Sequence, residues 1–131
     1  MKYKLTREAL LKDLYVAFYD ARRHKANKPY VKYFERDLKE EIESLCDELW
    51  NRTYQAQPSR CFIIDYPKKR EVFAAQFRDR VVHHLYFNYA HEMFERTFIQ
   101  DTYSCIKNRG TLYGINRLAK HIRSESLNYK Q

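Results

Sequence analysis

The side chains best suited to chemistry in this sequence are cationic, and the first group of them lies in a short turn. Lys68, Lys69 and Arg70 follow a Tyr-Pro pair between two apolar segments. Side chains at such a turn extend into solvent and can bind a triphosphate or a backbone phosphate, Arg as a planar fork and Lys as a point charge. The alternative is an ordinary solvated turn, where lysine is common.

Two further basic groups lie at the starts of predicted helices. Arg78 and Arg80 flank Asp79, and cations at a helix N-terminus oppose the helix dipole unless an anion binds there. The alternative is that Asp79 caps the helix and pairs with a neighbouring arginine. Arg109 precedes Gly110, which allows either a close approach of the backbone to a ligand or a plain turn between helices.

Other kinds of site find little support in the sequence. It contains no nucleophile elbow, no Walker lysine loop and no GxGxxG motif. His84 and His91 are two helical turns apart, whereas zinc-binding pairs on a helix usually sit at i and i+4, and no carboxylate or Cys completes a ligand set. We therefore predict no catalytic residue, no metal site and no bound cofactor in this chain.

The balance of charge favours a polyanionic partner. The 131 residues carry a net charge of +8, and the basic residues cluster in 1–33, 66–80 and 107–131, whereas acids dominate 34–49. Clustering favours nucleic acid over a merely basic surface. Three cysteines without a close pair indicate a reducing compartment. With no signal peptide and no membrane-length apolar segment, we predict a cytoplasmic protein without a membrane partner.

Four helices and one hairpin must position these residues. The predicted helices run from a Thr6 cap to about Arg23, from Pro29 to about Thr53, from Phe77 to about Phe94, and from a Thr111 cap to about Ser124. Residues 61–65 and 70–75 predict two strands joined by the basic turn; the alternative is an extended loop. The predicted fold class is α+β, mainly α-helical with one small β-hairpin.

Apolar spacing predicts which faces are buried. The helix after Pro29 should bury one continuous stripe, and the helix after Phe77 is apolar on two faces, which is typical of a helix in the middle of a domain. The last helix should also have an inner, core-facing side. The two sets predicted for the second and last helices are Phe34, Leu38, Ile42, Leu45 and Leu49, and Leu112, Ile115, Leu118, Ala119 and Ile122.

Several of these segments together resemble a known family. The runs KREVFAAQFRDRVVHH and FERTFIQDTYSCIKNRGT, followed by the GI of YGINRL, resemble the first conserved blocks of prokaryotic reverse transcriptases. The diversity-generating retroelement type is the nearest, and the group II intron type, which usually has Gln in place of His83–His84, is second. The resemblance covers about residues 60–120. Residues 1–55 match only loosely, as a helical N-terminal extension would.

The resemblance implies that residues 56–131 form the fingers region of a right-hand polymerase, an RNA-directed DNA polymerase. It implies that Arg70, helped by Lys68 and Lys69, holds the triphosphate of the incoming dNTP. The implied template RNA and DNA primer contacts are Arg78, Arg80 and Arg109. The family's catalytic aspartates, including those of its YxDD turn, do not occur before Gln131.

Because two-metal phosphoryl transfer needs those carboxylates, we expect a fragment truncated before the palm that is inactive alone. The Mg²⁺ ligands of the full-length enzyme would then lie outside this chain. The alternative is a stand-alone basic nucleic-acid-binding module without catalysis. A third hypothesis is that the acidic helix 29–53 docks on a basic accessory protein, and exposed palm-facing aromatic residues could also lead to self-association.

Overall fold

The computed structural model describes residues 5–130, and they form five α-helices and one two-stranded sheet. This confirms the α+β prediction in its coarser form, a mainly helical chain with one small hairpin. In order, the elements are α1 (Arg7–Arg22), α2 (Pro29–Arg36), α3 (Leu38–Trp50), β1 (Arg60–Ile64), β2 (Arg70–Ala74), α4 (Phe77–Thr97) and α5 (Thr111–Glu125).

The chain divides into two compact units, Met1–Tyr89 and Ala90–Gln131. The division falls inside α4, so the first three helices, the hairpin and the first part of α4 belong to one unit. The second unit contains the rest of α4, the turn-rich segment after it and α5. None of the helices described for residues 5–130 has the length and apolar character needed to cross a membrane.

Helix α1 begins as its sequence predicts. The Thr6 hydroxyl accepts a hydrogen bond from the Ala9 backbone N–H at 3.2 Å, which satisfies one of the free donors of the first turn. One face of α1 is buried in the core of the first unit, and it consists of Leu10, Leu14, Ala17, Phe18 and Ala21.

The prediction of one continuous helix from Pro29 to Thr53 is wrong. Helix α2 ends at Arg36 and α3 begins at Leu38, because Asp37, with φ −113° and ψ 34°, leaves the helical conformation. Aspartate is a weak helix former, and its carboxylate here accepts two hydrogen bonds from the Arg36 guanidinium. The break contains neither Pro nor Gly, so apolar spacing alone did not reveal it.

Aromatic rings connect three helices in the core of the first unit. The Phe18 ring of α1 stacks on Phe34 of α2 with centroids 5.8 Å apart, and Phe77 of α4 meets Phe34 edge-on at 5.3 Å. Ile42 and Leu45 of α3 are fully buried in the same cluster. Such ring pairs contribute about 0.5–1.5 kcal/mol each beyond their buried area.

The hairpin is present, so the extended-loop alternative is excluded. Strands β1 and β2 are antiparallel, with Arg60 opposite Ala74 and Ile64 opposite Arg70. Since side chains alternate along a strand, one sheet face carries Arg60, Phe62, Ile64, Arg70, Val72 and Ala74. The other face carries Cys61, Ile63, Glu71 and Phe73.

Two predictions about helix burial are wrong. On α4, Phe77, Val81 and Leu85 are buried as predicted. Its second predicted apolar face consists of Phe87, Ala90 and Phe94, of which Ala90 is buried and both phenylalanines are exposed. Helix α5 has no buried residue at all, and Leu112 of its predicted inner face is 71% exposed. The spacing of apolar residues in the sequence places them together on these helix faces, but the packing within each unit leaves most of their side chains exposed.

The prediction that Thr111 caps α5 is also wrong. Gly110 occupies the N-cap position, where no side chain accepts a hydrogen bond from the first turn, and Thr111 is the first helical residue. Gly110 has an ordinary extended conformation with φ −96°, and a Cβ atom added there would meet nothing within 4 Å. The backbone at this turn therefore does not require glycine.

A buried carboxylate fastens the connector after α3 to the start of α4. The side chain of Asp79 accepts hydrogen bonds from the Tyr54 hydroxyl at 2.6 Å and from the Gln57 backbone N–H at 3.0 Å, and the residue is only 2% exposed. Burial of Tyr54, together with its hydrogen bond to Asp79, raises the pKa of the phenol to about 12. Asp79 thus accepts hydrogen bonds from the connector rather than pairing with its arginine neighbours.

We predict that Asp79→Ala lowers the free energy of unfolding by about 2–4 kcal/mol, because it leaves two donors in the connector without an acceptor. Tyr54→Phe should cost about 1–2 kcal/mol, and the double variant should lose less than the sum of the two. Urea unfolding measures all three values, with the exposed acid Asp65→Ala as the control. Strictly additive losses would contradict the direct bond.

Candidate nucleic-acid interface

The hairpin presents its three predicted phosphate ligands to solvent. Lys68 and Lys69 lie in the loop between the strands, and Arg70 is the first residue of β2. All three are exposed, and within residues 5–130 none of their side chains forms an ion pair or a hydrogen bond. Their charges therefore remain available to an anion, and the structure brings them together as the sequence predicts.

The same sheet face leads from the hairpin end to a cavity of about 380 Å³. Arg60 and Phe62 of β1 line it together with Tyr30, Phe77 and Arg80 from the helices. Arg60 and Arg70 lie on one face at opposite ends of the ladder, which at the usual rise per residue places their backbones about 13 Å apart. Cationic groups thus occur at both ends of this face.

Arg80 is oriented without being neutralised. Its Nε donates to the Ala75 carbonyl oxygen at 2.8 Å, and one terminal nitrogen lies 3.5 Å from the Tyr30 hydroxyl. Its guanidinium carbon is 5.0 Å from the centre of the Tyr30 ring, in the range of a cation–π contact. None of these partners is an acid, so the guanidinium carries its full charge at the edge of the cavity.

Arg78 points elsewhere and is neutralised. Its side chain is only 14% exposed, and its guanidinium lies 2.7 Å from a Glu48 carboxylate oxygen and 3.8 Å from one of Glu41. These contacts join α4 to α3. The predicted template contact of Arg78 stays a prediction, and it would require a phosphate to replace two carboxylates.

Arg109 belongs to the second unit. It is half-exposed and donates from a terminal nitrogen to the Gln100 carbonyl oxygen at 3.1 Å. An isolated antiparallel bridge between Ile106 and Arg109 closes the turn before α5. Its predicted template or primer contact stays a prediction.

The second unit contains a polar cluster that the sequence did not reveal. Asp101 accepts hydrogen bonds from Arg117 at 2.7 Å and from the Tyr103 hydroxyl at 2.8 Å, and it lies 3.3 Å from His121. The hydrogen bonds from Arg117 and Tyr103 hold the pKa of Asp101 well below its usual range. A Cβ atom added to Gly114 would come within 3.0 Å of the Tyr103 ring, so this glycine permits the close packing of the ring on α5.

The acidic segment predicted to dock on a basic partner is partly used inside the chain. Glu48 pairs with Arg78, Asp47 with Arg7 and Glu35 with Arg22. Docking on a basic accessory protein remains a prediction. Glu40 and Glu43 are exposed acids through which such a partner would bind.

Sequence reasoning missed Tyr30 and Arg60 at the cavity. Arg60 precedes two apolar residues at alternating positions, Phe62 and Ile64, and that alternation was a signal that could have placed it on the same sheet face. Tyr30 gave no such signal, because only packing brings α2 next to the start of α4. Among residues 5–130, no three His, Cys, Asp or Glu side chains lie together as a metal site would require.

No protein-family model matches the sequence, and comparison with curated proteins gives no match either. The resemblance to reverse transcriptases therefore remains a prediction carried by the sequence runs themselves.

We predict that Arg78 and Arg70 differ sharply in their effect on stability. Arg78→Gln should lower the free energy of unfolding by about 1–2 kcal/mol, since it breaks a partly buried, charge-assisted hydrogen bond to Glu48. Arg70→Gln should change it by less than about 0.5 kcal/mol, as is usual for an exposed position. Urea unfolding of both variants measures the contrast, and equal losses would refute the assignment of Arg78 to the fold.

Proposed function

We propose that this chain is the fingers portion of an RNA-directed DNA polymerase and contacts the template RNA and the incoming dNTP. The observation that carries the proposal is a set of five cationic side chains without acidic partners, gathered on and beside one hairpin. They are Arg60, Lys68, Lys69, Arg70 and Arg80.

The separation of charge on the sheet supports a phosphate ligand. Glu71 lies on the face opposite to Arg60 and Arg70, so it does not neutralise the cationic face. Asp65 is the only other acid between Arg60 and Arg78, and it lies in the loop. Most acids of the first unit instead lie on its helices, several of them in ion pairs.

The aromatic side chains at the cavity support a nucleotide rather than a bare anion. Tyr30 is 38% exposed and Phe62 is 45% exposed, although both line the cavity. Bases stack on such rings at about 1–3 kcal/mol each, while adjacent arginines bind the phosphates. The cationic and stacking groups therefore occur side by side, as a nucleotide or a single strand requires.

The polymerase assignment adds roles that the family resemblance implies. Arg70, assisted by Lys68 and Lys69, would bind the triphosphate, and Arg80 would contact the template or primer. Under this proposal the catalytic aspartates and their Mg²⁺ belong to the part of the full-length enzyme outside this chain. This chain positions the substrates without catalysing the reaction, and the enzyme works in the cytoplasm.

A second candidate function is that of a stand-alone nucleic-acid-binding module. The unit Met1–Tyr89 favours it, because this unit contains its own hydrophobic core together with the hairpin. Both candidates use the same surface, and only the polymerase predicts a dependence on dNTP concentration.

We predict that the chain binds single-stranded RNA in a salt-dependent way and that the triple variant Lys68→Gln, Lys69→Gln, Arg70→Gln loses most of this binding. Each phosphate contact removed should reduce the salt slope by about 0.7, so the slope should fall by roughly 2. Fluorescence anisotropy with a labelled oligonucleotide measures it. The control is Lys12→Gln, Lys32→Gln, Lys39→Gln, three exposed lysines on helices.

The control variant removes the same net charge, so it reports the general field of the protein. Equal weakening by the two triple variants, or binding that ignores salt, would contradict a site at the hairpin.

In a full-length polymerase containing this chain, we predict that Arg70→Ala lowers kcat/KM for dNTP by roughly tenfold or more, the cost of losing a charge-assisted hydrogen bond. Steady-state kinetics at varied dNTP concentration measures the effect, with Lys39→Ala as the control. An unchanged kcat/KM would exclude the triphosphate assignment while leaving RNA binding intact.

A further inference from the structure

A second cationic groove lies within the first unit, apart from the residues of the hairpin. It has a volume of about 730 Å³ and is formed by the end of α1, the turn after it and the middle of α4. Arg23, His24 and Lys25 line it from the α1 side, and His83 and His84 line it from α4. The proposed function above uses none of these side chains.

The charge of this groove is not balanced. Its single lining acid is Asp20, whose two carboxylate oxygens accept hydrogen bonds from Arg23 at 3.0 Å and from Asn88 at 3.1 Å. Within residues 5–130, Lys25 and the three histidines of the groove form no ion pair. The single acid of the groove, Asp20, already accepts a hydrogen bond from Arg23. One lysine and three imidazoles thus line the groove without an acidic partner in the described part of the chain.

The pKa of His84 responds mainly to the burial of its side chain. The residue is half-buried, and burial lowers the pKa of its imidazole. The Asp20 carboxylate opposes this effect, and smaller contributions from Lys25, His83 and Arg23 lower the pKa further. The folded protein therefore favours the neutral imidazole, and an anion in the groove would favour the protonated form.

We infer that this groove is a second phosphate site, which binds a nucleic-acid strand and takes up a proton when it does so. The inference rests on the proposed function for the kind of ligand. The volume lies within the usual range of about 300–1,000 Å³ for ligand pockets and exceeds the needs of a lone phosphate. Phe87, a residue that is 57% exposed, also lines the groove and adds an aromatic side chain beside the space for a base or ribose.

The direction of the pH effect follows from the proton balance. A bound phosphate stabilises the protonated form of His84, so affinity rises as pH falls from 7.5 to 5.5, by at most about tenfold per pH unit for each proton taken up. In the absence of a ligand, the stability of the folded chain changes with pH in the opposite direction. Because the folded state disfavours the charged form of His84, stability falls as pH drops below the ordinary histidine pKa of about 6.5.

The first test compares RNA affinity at pH 7.5 and pH 5.5 at constant ionic strength. The probe is a labelled single-stranded RNA with a 5′-hydroxyl end, since its phosphodiesters do not titrate in this range. The wild-type chain should bind at least about fivefold more tightly at the lower pH. The variant His24→Gln, His83→Gln, His84→Gln should lose this gain, whereas the control His121→Gln, which lies outside the groove, should keep it.

The second test does not depend on RNA or on a variant that folds. Proton NMR titration of the histidines, with inorganic phosphate or with chloride at equal ionic strength, should show that phosphate raises the pKa of His84 and leaves that of His121 unchanged. No rise at His84 would overturn the groove as a phosphate site.

The outcomes separate this inference from the function it rests on. RNA binding that is independent of pH, or a gain that survives the loss of the three histidines, would overturn only the groove. A chain that binds no RNA at either pH would overturn the proposed function and the identity of the ligand assigned here.

Discussion

The carboxylate of Asp79 is the contact on which the arrangement of the first unit depends. It lies at the start of α4 and is buried against Tyr54 and Gln57 of the connector that leads to the hairpin. Successive residues of a helix are rotated by about 100°. With Asp79 pointing into the protein, Arg78 and Arg80 must therefore point to opposite sides, one toward the acids of α3 and the other toward the cavity at the sheet.

This geometry gives Arg78 and Arg80 different roles. Arg78 forms ion pairs with Glu41 and Glu48 and so links α4 to α3. Arg80 is held by a carbonyl oxygen and an aromatic ring, which fix its direction without cancelling its charge. Some charged side chains of the fold thus form ion pairs that link helices. The basic side chains of the hairpin and the cavity instead have no acidic partner among residues 5–130.

In the later part of the chain, α5 and the end of α4 leave apolar side chains exposed. Ile115 and Leu118 of α5 and Phe94 of α4 are at least 45% exposed, and the polar cluster around Asp101 orders the segment before α5 instead of a hydrophobic core. Exposed apolar surface of this kind is typical of a region that contacts another protein surface. It agrees with the proposal that these residues form part of a larger polymerase.

The sequence by itself determined the elements whose signals are local. The Thr6 cap, the proline start of α2, the alternation in the strands and the basic turn between them all depend on neighbouring residues, so α1 and the hairpin were predictable. The exposure of Lys68, Lys69 and Arg70 followed from the same local chemistry.

Tertiary structure alone decided which charges are free and which faces are covered. The partners of Arg78 are 30 and 37 residues away in α3, and the Tyr30 ring beside Arg80 is 50 residues away. Likewise, a periodic pattern shows that α5 has an apolar side but not whether anything packs on it. Long-range packing and pairing settle these questions, because the burial of a side chain depends on segments that are remote in the chain and contribute nothing to its local pattern.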